Sequence, residues 1–456
     1  MQISKLYKKR IIAFVVLGIM LVTTGAVMGE LLRPFNFSTD IYNKEYNEMK
    51  SNKQKIDMVI IGNSRTLLSL DPVIFKEKLG LNKVFNISMG AQSIVADYYI
   101  LKEVIEEFHP SYVVMGLDET ILTHKYIRMI SHLRNLERLH GTNYRAYIKD
   151  NFIQADYAYL IPCFAYRGNL GQIRDNTRMK LQFQEEGVNM KTDKWQSMGN
   201  GFVVYSNRNL TEGNIGIPRI KTFEKSKIKE ETINYLNKCV QLCQTNNIKL
   251  FFVTAPTSMA ELYSINNYED YTKFASEYAM KHKIKYHNLS YIKGKETLLP
   301  DNFMFDIQHV NKAGAEVTSK IYAEILKKEL HGTDTKKFFH RSLGEVKSTV
   351  KRIVGVDAKP VKNDNTLTMT IRSLQNKGII PQYEILLAGE DNNFKPVVGW
   401  TKQKKVSFEI PKETTCRILL RARRQNDVKA TAWMAWEIDE QGEIRKINDV
   451  PVEKIF

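Results

Sequence analysis

Five short, strongly apolar runs constrain this chain more than any other feature: MVIIG at 58–62, KVFNIS at 83–88, YVVMGLD at 112–118, KLFFVTAP at 249–256 and KYHNLS at 285–290. Helical patterns such as 97–108 and 229–246 lie between them. Strands with so little polar alternation belong to a parallel sheet covered on both faces, so the alternation predicts an α/β domain with helices packed on either side. The functional edge of such a sheet is the one formed by the carboxyl ends of its strands. Ser64 follows the first run, Gly90 follows the second and Asp118 ends the third, so the three converge on that edge.

The segment MFDIQHVNKAGAEVTSKIYAEIL, from Met304, places Asp306 and His309 three residues apart on a loop before an amphipathic helix. A serine hydroxyl is a poor nucleophile at neutral pH unless an imidazole takes its proton, and the imidazole works best when a carboxylate fixes its tautomer. Ser64, His309 and Asp306 supply those three groups, and the first expectation is acyl transfer. Each also has a plainer explanation. A serine after a strand is commonly a helix N-cap, and an Asp or His near Asn311 caps the last helix equally well. Asn63 suits a turn or an N–H donor beside the serine, and Arg65 suits either an anionic substrate or a pairing with Asp118.

Lys5, Lys8, Lys9 and Arg10 precede an uncharged run from Ile11 to Gly29, about the length that crosses a bilayer. Positive charge on the short side predicts the N-terminus in the cytoplasm and the remainder outside. Cleavage near Thr24, Gly25 and Ala26 is the competing reading. That trio is an imperfect A-x-A site and no lipobox cysteine is present, which favours an uncleaved anchor. The formal net charge of +17 is spread along the chain without a basic stripe interleaved with aromatics, so it fits an anionic envelope better than nucleic acid. The four cysteines form neither a disulfide framework nor a metal cluster. Cys239 and Cys243, one helical turn apart, read as a buried helix face. No metal or organic cofactor is implied.

At 456 residues two folded units are expected. The anchor occupies 1–30, a polar spacer 31–54, the α/β domain 55–330 and a Lys-, Gly-, Ser- and Thr-rich linker 331–365. From 366 to 456, segments such as YEILLAG, KVSFEIP and TAWMAWEID alternate with a period of two and predict a small antiparallel β-sandwich. Its Trp400, Trp433 and Trp436 suit either sugar stacking or core packing. The stretch 121–223, rich in Tyr, Arg, Asn and Gly, reads equally as an irregular surface insertion or as a lid and substrate platform. His124, His132 and His140 within it recur every eight residues, a spacing that suits surface histidines better than a chelating pair.

Residues 56–328 resemble the SGNH (GDSL-like) hydrolase superfamily, a flavodoxin-like three-layer fold whose enzymes deacylate or transacylate esters, commonly on carbohydrates. GNSR at 62–65 is similar to the first block, FNISMGAQS at 85–93 to the second and DIQH at 306–309 to the last. The resemblance implies Ser64 as nucleophile, Ser64 and Gly90 as backbone oxyanion donors, His309 as base and Asp306 as its orienting carboxylate. The third block normally supplies an oxyanion-hole asparagine, whereas MGLDET here offers Asp118. An ionised carboxylate would repel a developing oxyanion, so Asp118 must point away, be protonated or serve another purpose. Losing one oxyanion donor typically costs about 2.7–4 kcal/mol in the transition state, which implies slow turnover or a partner that completes the site. Anchor and motifs together look like the membrane-tethered branch typified by the lipoteichoic acid D-alanylation protein and the alginate acetylation proteins. The expected function is therefore extracytoplasmic acyl transfer or ester hydrolysis on a cell-wall or exopolysaccharide hydroxyl, beside a multipass membrane O-acyltransferase. A non-catalytic member of the fold that binds polymer and recruits such a partner is the alternative, and a structural surface protein is a third reading.

Overall fold

The computed structural model of the protein describes residues 5–123, 129–193, 195–205, 216–389, 391–412, 414–447 and 450, which leaves His124 outside the described residues. The apolar runs become β1 (Met58–Ile61), β2 (Val84–Asn86), β3 (Tyr112–Gly116), β4 (Lys249–Thr254) and β5 (Lys285–Asn288), paired in the order β2-β1-β3-β4-β5. Every pairing is parallel, with Met58 opposite both Val84 and Tyr112. That order is the flavodoxin-like one, and its direction reverses at β1. Each strand is shorter than its apolar run, whose last residues lead into the loops of the functional edge.

Side-chain alternation sends successive residues to opposite faces. Val59, Ile61, Val113, Met115 and Phe252 join one core, formed with helices α5 (Ile94–Phe108), α6 (Glu230–Thr245) and α7 (Tyr268–Lys281). Met58, Ile60, Val114, Phe251 and Val253 join another with α4 (Pro72–Leu79) and α8 (Lys312–Leu330). The result is three layers. Cys239 and Cys243 are buried on the inner face of α6, where burial pushes both thiols upward in pKa.

The spacer differs from expectation. Residues 37–51 form a helix, α2 (Phe37–Ser51), capped by the Asn36 side chain, and it buries Tyr42, Tyr46 and Met49 in the first core. Its polar appearance hid an aromatic stripe at helical spacing. It also reaches the 121–223 insertion, which holds a hairpin of Trp195–Gly199 and Phe202–Tyr205. The hairpin turn is pinned on two sides. Asn200 and Gly201 donate their N–H groups to the Glu45 carboxylate of α2, and Asn86 of the edge strand β2 donates to the Asn200 carbonyl at 2.9 Å. The turn therefore occupies a sheet edge that would otherwise be open.

Within the helix α1 (Lys5–Leu32), the stretch Tyr7–Leu32 holds 18 consecutive residues whose mean hydropathy is 2.5 and which are not buried against the rest of the protein. At the other end of the chain, antiparallel strands form two sheets. One joins Gly355–Asn363, Thr366–Leu374 and Lys405–Glu409, and the other runs Lys395–Thr401, Pro381–Ala388, Cys416–Arg424, Ala432–Ile438, Ile444–Ile447. Strand Gly355–Asn363 pairs along its whole length with Thr366–Leu374 and belongs to this unit, which corrects the expected linker of 331–365. Its first four residues, 355–358, are buried, whereas Lys359, Val361 and Asn363 are exposed, and that half resembles a solvated linker. Trp433 and Trp436 are buried, whereas Trp400 is half-buried under the Arg423 guanidinium.

Candidate active site

Ser64 opens the short helix α3 (Ser64–Ser69) directly after β1. Its hydroxyl is not the helix cap. The Asn63 side chain takes that role, accepting the Arg65 N–H at 3.0 Å, an interaction that contributes about 1 kcal/mol. The turn before it requires glycine: Gly62 has φ 154°, and a Cβ there would sit 2.7 Å from Thr66 Oγ1 and 3.1 Å from the Gly116 Cα. Two glycines on adjacent strands thus let α3 press onto the sheet end and present Ser64 at the rim.

His309 and Asp306 come from a loop closed on itself. Met304 and Val310 bridge, and the Phe305 N–H donates to the His309 carbonyl at 2.8 Å. Asn311 caps α8 by accepting the Gly314 N–H at 3.0 Å, which leaves Asp306 and His309 free of capping duty. Ser64 Oγ lies 2.9 Å from His309 Nε2, and His309 Nδ1 lies 2.9 and 3.0 Å from the two Asp306 carboxylate oxygens. The Gln308 and His309 backbone N–H groups also donate to Asp306 at 2.7 and 2.9 Å. Partial burial raises the Asp306 pKa, but hydrogen bonds from His309 and the loop outweigh it, and the carboxyl sits below its ordinary value. An ionised Asp306 fixes Nδ1–H toward itself and leaves Nε2 as the acceptor facing the serine.

The β1–β2 ladder continues past the strands, with Ile87 N–H donating to the Ile60 carbonyl at 2.7 Å and Met89 N–H to the Gly62 carbonyl at 3.0 Å. This brings the Gly90 loop beside the serine turn. Among the described residues, neither the Ser64 nor the Gly90 N–H donates to a protein acceptor, as an oxyanion hole requires. A Cβ at Gly90 would meet open space, so a substrate can approach this backbone.

Asp118 is buried and turned away into its own loop. It accepts from Asn63 Nδ2 at 2.6 Å, from the Thr120 and Ile121 N–H groups at 2.9 Å each, and from the Thr120 hydroxyl at 2.5 Å. Burial alone would raise its pKa, but the positive field of Arg65 and these donors hold it below the ordinary carboxylate range. Of the three options open to it, Asp118 therefore takes the structural one: it anchors Asn63, the cap of the nucleophile helix. Asn63 Nδ2 is thereby committed to Asp118.

Arg65 does not pair directly with Asp118. Its guanidinium makes a bidentate contact with Glu119 at 3.0 and 2.8 Å and lies 3.7 Å from Glu261. Burial opposes the charge on Arg65, yet the neighbouring carboxylates keep it cationic, while burial outweighs Arg65 at Glu119 and raises that carboxyl. The fully buried Glu261 also accepts from Lys221 and from the Gln308 amide at 2.7 Å each. One polar network thus ties the residue after Ser64 to the residue before His309. Glu119 was legible as the neighbour of Asp118; nothing local marks Glu261, Lys221 or Gln308.

The hairpin reaches the same edge. Tyr205 stacks on Phe305 with ring centroids 3.4 Å apart, on Trp195 at 4.2 Å, and approaches the His309 ring edge-on at 6.5 Å. At least this part of the insertion is a wall of the site. Elsewhere in it, His132 Nδ1 lies 2.9 Å from the Tyr147 hydroxyl, and His140 bonds to Glu103 and stacks on Tyr46. Both serve packing.

No protein-family model and no curated protein matches this chain. Among solved structures, it is similar to a GDSL-like lipase from Bacteroides thetaiotaomicron, with 11% identity, 64% of this chain and 100% of that one covered, and a TM-score of 0.30. A psychrotrophic esterase from Pseudoalteromonas sp. gives 13% identity, 60% and 99% coverage and a TM-score of 0.27. A lipase/acylhydrolase from Enterococcus faecalis gives 12%, 60% and 97%, and 0.26. Likeness at this level says nothing about substrate, so the chemistry follows from the site's own atoms.

Proposed function

We propose that the protein is a membrane-anchored, serine-dependent acyltransferase or esterase acting outside the membrane on a hydroxyl of a cell-wall or exopolysaccharide polymer. The continuous Ser64–His309–Asp306 hydrogen-bond line carries this reading. His309 Nε2 takes the Ser64 proton as Oγ bonds to an acyl carbonyl carbon. The Ser64 and Gly90 N–H groups receive the oxyanion. Collapse expels the alcohol, which takes the proton from His309 and leaves acyl-Ser64. A polymer hydroxyl, or water in an esterase, then attacks the acyl carbon while His309 accepts its proton, and Ser64 is restored.

Two observations favour transfer over free hydrolysis. The position expected to supply a side-chain oxyanion donor holds Asp118, turned away into its own loop, and Asn63 Nδ2 faces Asp118 and Thr120, which suits slow modification of a polymer. The small residues Gly25 and Gly29 lie against Cys163 and Pro162, a contact that supports a retained α1 and hence a tethered enzyme beside a membrane partner. A multipass O-acyltransferase would supply the acyl group. The same commitment of Asn63 also favours the alternative, a non-catalytic polymer-binding recruiter. Full-length protein in nanodiscs, given an acetylated aryl ester, separates the two: the enzyme releases phenol and loses this activity in Ser64→Ala, whereas equal rates in both proteins would exclude catalysis by Ser64.

A further inference from the structure

We propose that residues 152–173 form a second membrane contact that dips into the outer leaflet beside α1; this rests on the reading of α1 as an anchor. The segment FIQADYAYLIPCFAYRGNLGQI carries only two charged residues, Asp156 and Arg167, in 22, although a quarter of the whole chain is charged. It folds as two 3₁₀ turns around the short helix Pro162–Ala165. Phe152 and Tyr166 are buried, but five other large side chains of the segment point outward: Ile153 is 69% exposed, Leu170 61% and Phe164 52%, with Tyr157 and Ile161 also about half exposed. A contiguous patch of this kind on a protein surface marks a contact site.

Its position identifies the occupant. A Cβ at Gly29 would meet Pro162 Cβ at 2.5 Å, and one at Gly25 would meet Cys163 Sγ at 3.9 Å, so the exposed turn touches α1 within its apolar stretch. Those glycines lie one and five residues inside Glu30, roughly 2–8 Å along the helix. A polar layer sits at Glu30 itself, where Lys180 Nζ is 2.8 Å away, Arg33 is 3.3 Å away and Asn169 donates to the Leu32 carbonyl at 3.2 Å. Charged groups thus collect around Glu30, and the Pro162–Cys163 turn lies on the anchor side of it. Interfacial segments bury their apolar face to a comparable depth of about 5–10 Å, and tyrosines such as Tyr157 and Tyr159 favour that boundary. Acyl chains that surround α1 are continuous with this patch.

Two attachments instead of one restrict rotation of the catalytic domain about its anchor. The segment connects to α2 through Tyr166, whose hydroxyl donates to Glu137 at 2.5 Å, and through Arg33, 3.6 Å from Glu137 and 2.8 Å from Asp40, while Phe37 of α2 lies against Trp195 of the hairpin at 6.4 Å. The catalytic edge is thereby held in one orientation to the bilayer.

The test uses full-length protein in a Cys163→Ser background, reconstituted in phosphatidylglycerol-containing nanodiscs. Nitroxide labels are placed singly at Ile153→Cys, Phe164→Cys and Leu170→Cys, with Leu17→Cys in α1 and Val428→Cys in the sandwich as references. Oxygen should relax the three patch labels several-fold more efficiently than a water-soluble nickel chelate, as at Leu17, with the opposite order at Val428. Lipid-like behaviour at Leu17 with water-like behaviour at the patch would overturn the second contact while leaving the anchor. Labels shielded from both reagents would overturn it in favour of a protein partner. Water-like behaviour at Leu17 would remove the anchor itself.

Discussion

The catalytic edge and the 152–173 segment violate the ordinary distribution of residues in opposite directions. At the edge, Arg65, Asp118, Glu119 and Glu261 are buried side by side. In the segment, Ile153, Phe164 and Leu170 are exposed. Burying charge is costly unless every group is paired, and exposing apolar surface is costly unless something apolar covers it. The first region meets its condition internally, by linking the nucleophile helix to the loop of the base. The second meets its condition only through its surroundings. An internal network makes a site rigid, whereas an unmet surface makes the protein dependent on where it is placed.

The largest effect should come from breaking the internal network. Glu119→Ala strands a buried guanidinium and is expected to cost about 3–5 kcal/mol, read as a lower denaturant midpoint. An Arg65→Met, Glu119→Leu pair should recover most of that loss. A small effect of Glu119→Ala would mean that Glu261, 3.7 Å away, suffices as the counter-ion of Arg65.

Asp97 sharpens the contrast, because this buried carboxyl has a neighbour instead of a counter-ion. Burial pushes its pKa up to about 8, with Gln92 donating to it at 2.5 Å and Arg138 acting only at longer range. The folded state therefore holds its proton more tightly than the unfolded chain, whose value is near 4. The stabilisation is complete below pH 4 and is lost as pH rises toward 8. Asp97→Asn should abolish this decline, visible as a smaller fall in melting temperature between pH 4 and pH 8 than in the wild type. Parallel pH profiles would show that Asp97 is ionised in the fold.

Removing the aromatic wall should have a moderate effect. Tyr205→Ala loses stacking on Phe305 and Trp195, about 0.5–1.5 kcal/mol per ring pair, and leaves the His309 loop less constrained. A fall in kcat/KM of roughly 2- to 10-fold is expected from steady-state kinetics on this basis. The smallest change belongs to the apolar segment. Phe164→Ser should alter stability in detergent by no more than about 0.5 kcal/mol, as surface substitutions do. A loss several times larger would make Phe164 a core residue and erase the comparison.

How far each region was legible follows from the range of its interactions. The parallel sheet was readable because Met58–Ile61 and Val113–Met115 are buried on both faces and need no partner to look apolar. Ser64, Asp306 and His309 stood out because a strand end and a tight loop are local features. Arg65 was readable as a site residue but not in its partner, since Glu261 lies 196 positions away in the chain and only the fold brings the two together. The 331–365 linker and the 31–54 spacer were misjudged for a related reason. Helix α2 buries one face and strand Gly355–Asn363 buries only its first half, so the exposed polar residues of each dominate the local composition.

The account turns on whether Ser64 is an activated nucleophile. The most direct measurement is intact-mass spectrometry of the full-length protein after treatment with a fluorophosphonate, alongside Ser64→Ala and His309→Ala. One phosphonyl adduct on the wild type, absent from both variants, is the predicted result. No adduct on a folded wild type, or an adduct that persists in Ser64→Ala, would contradict it.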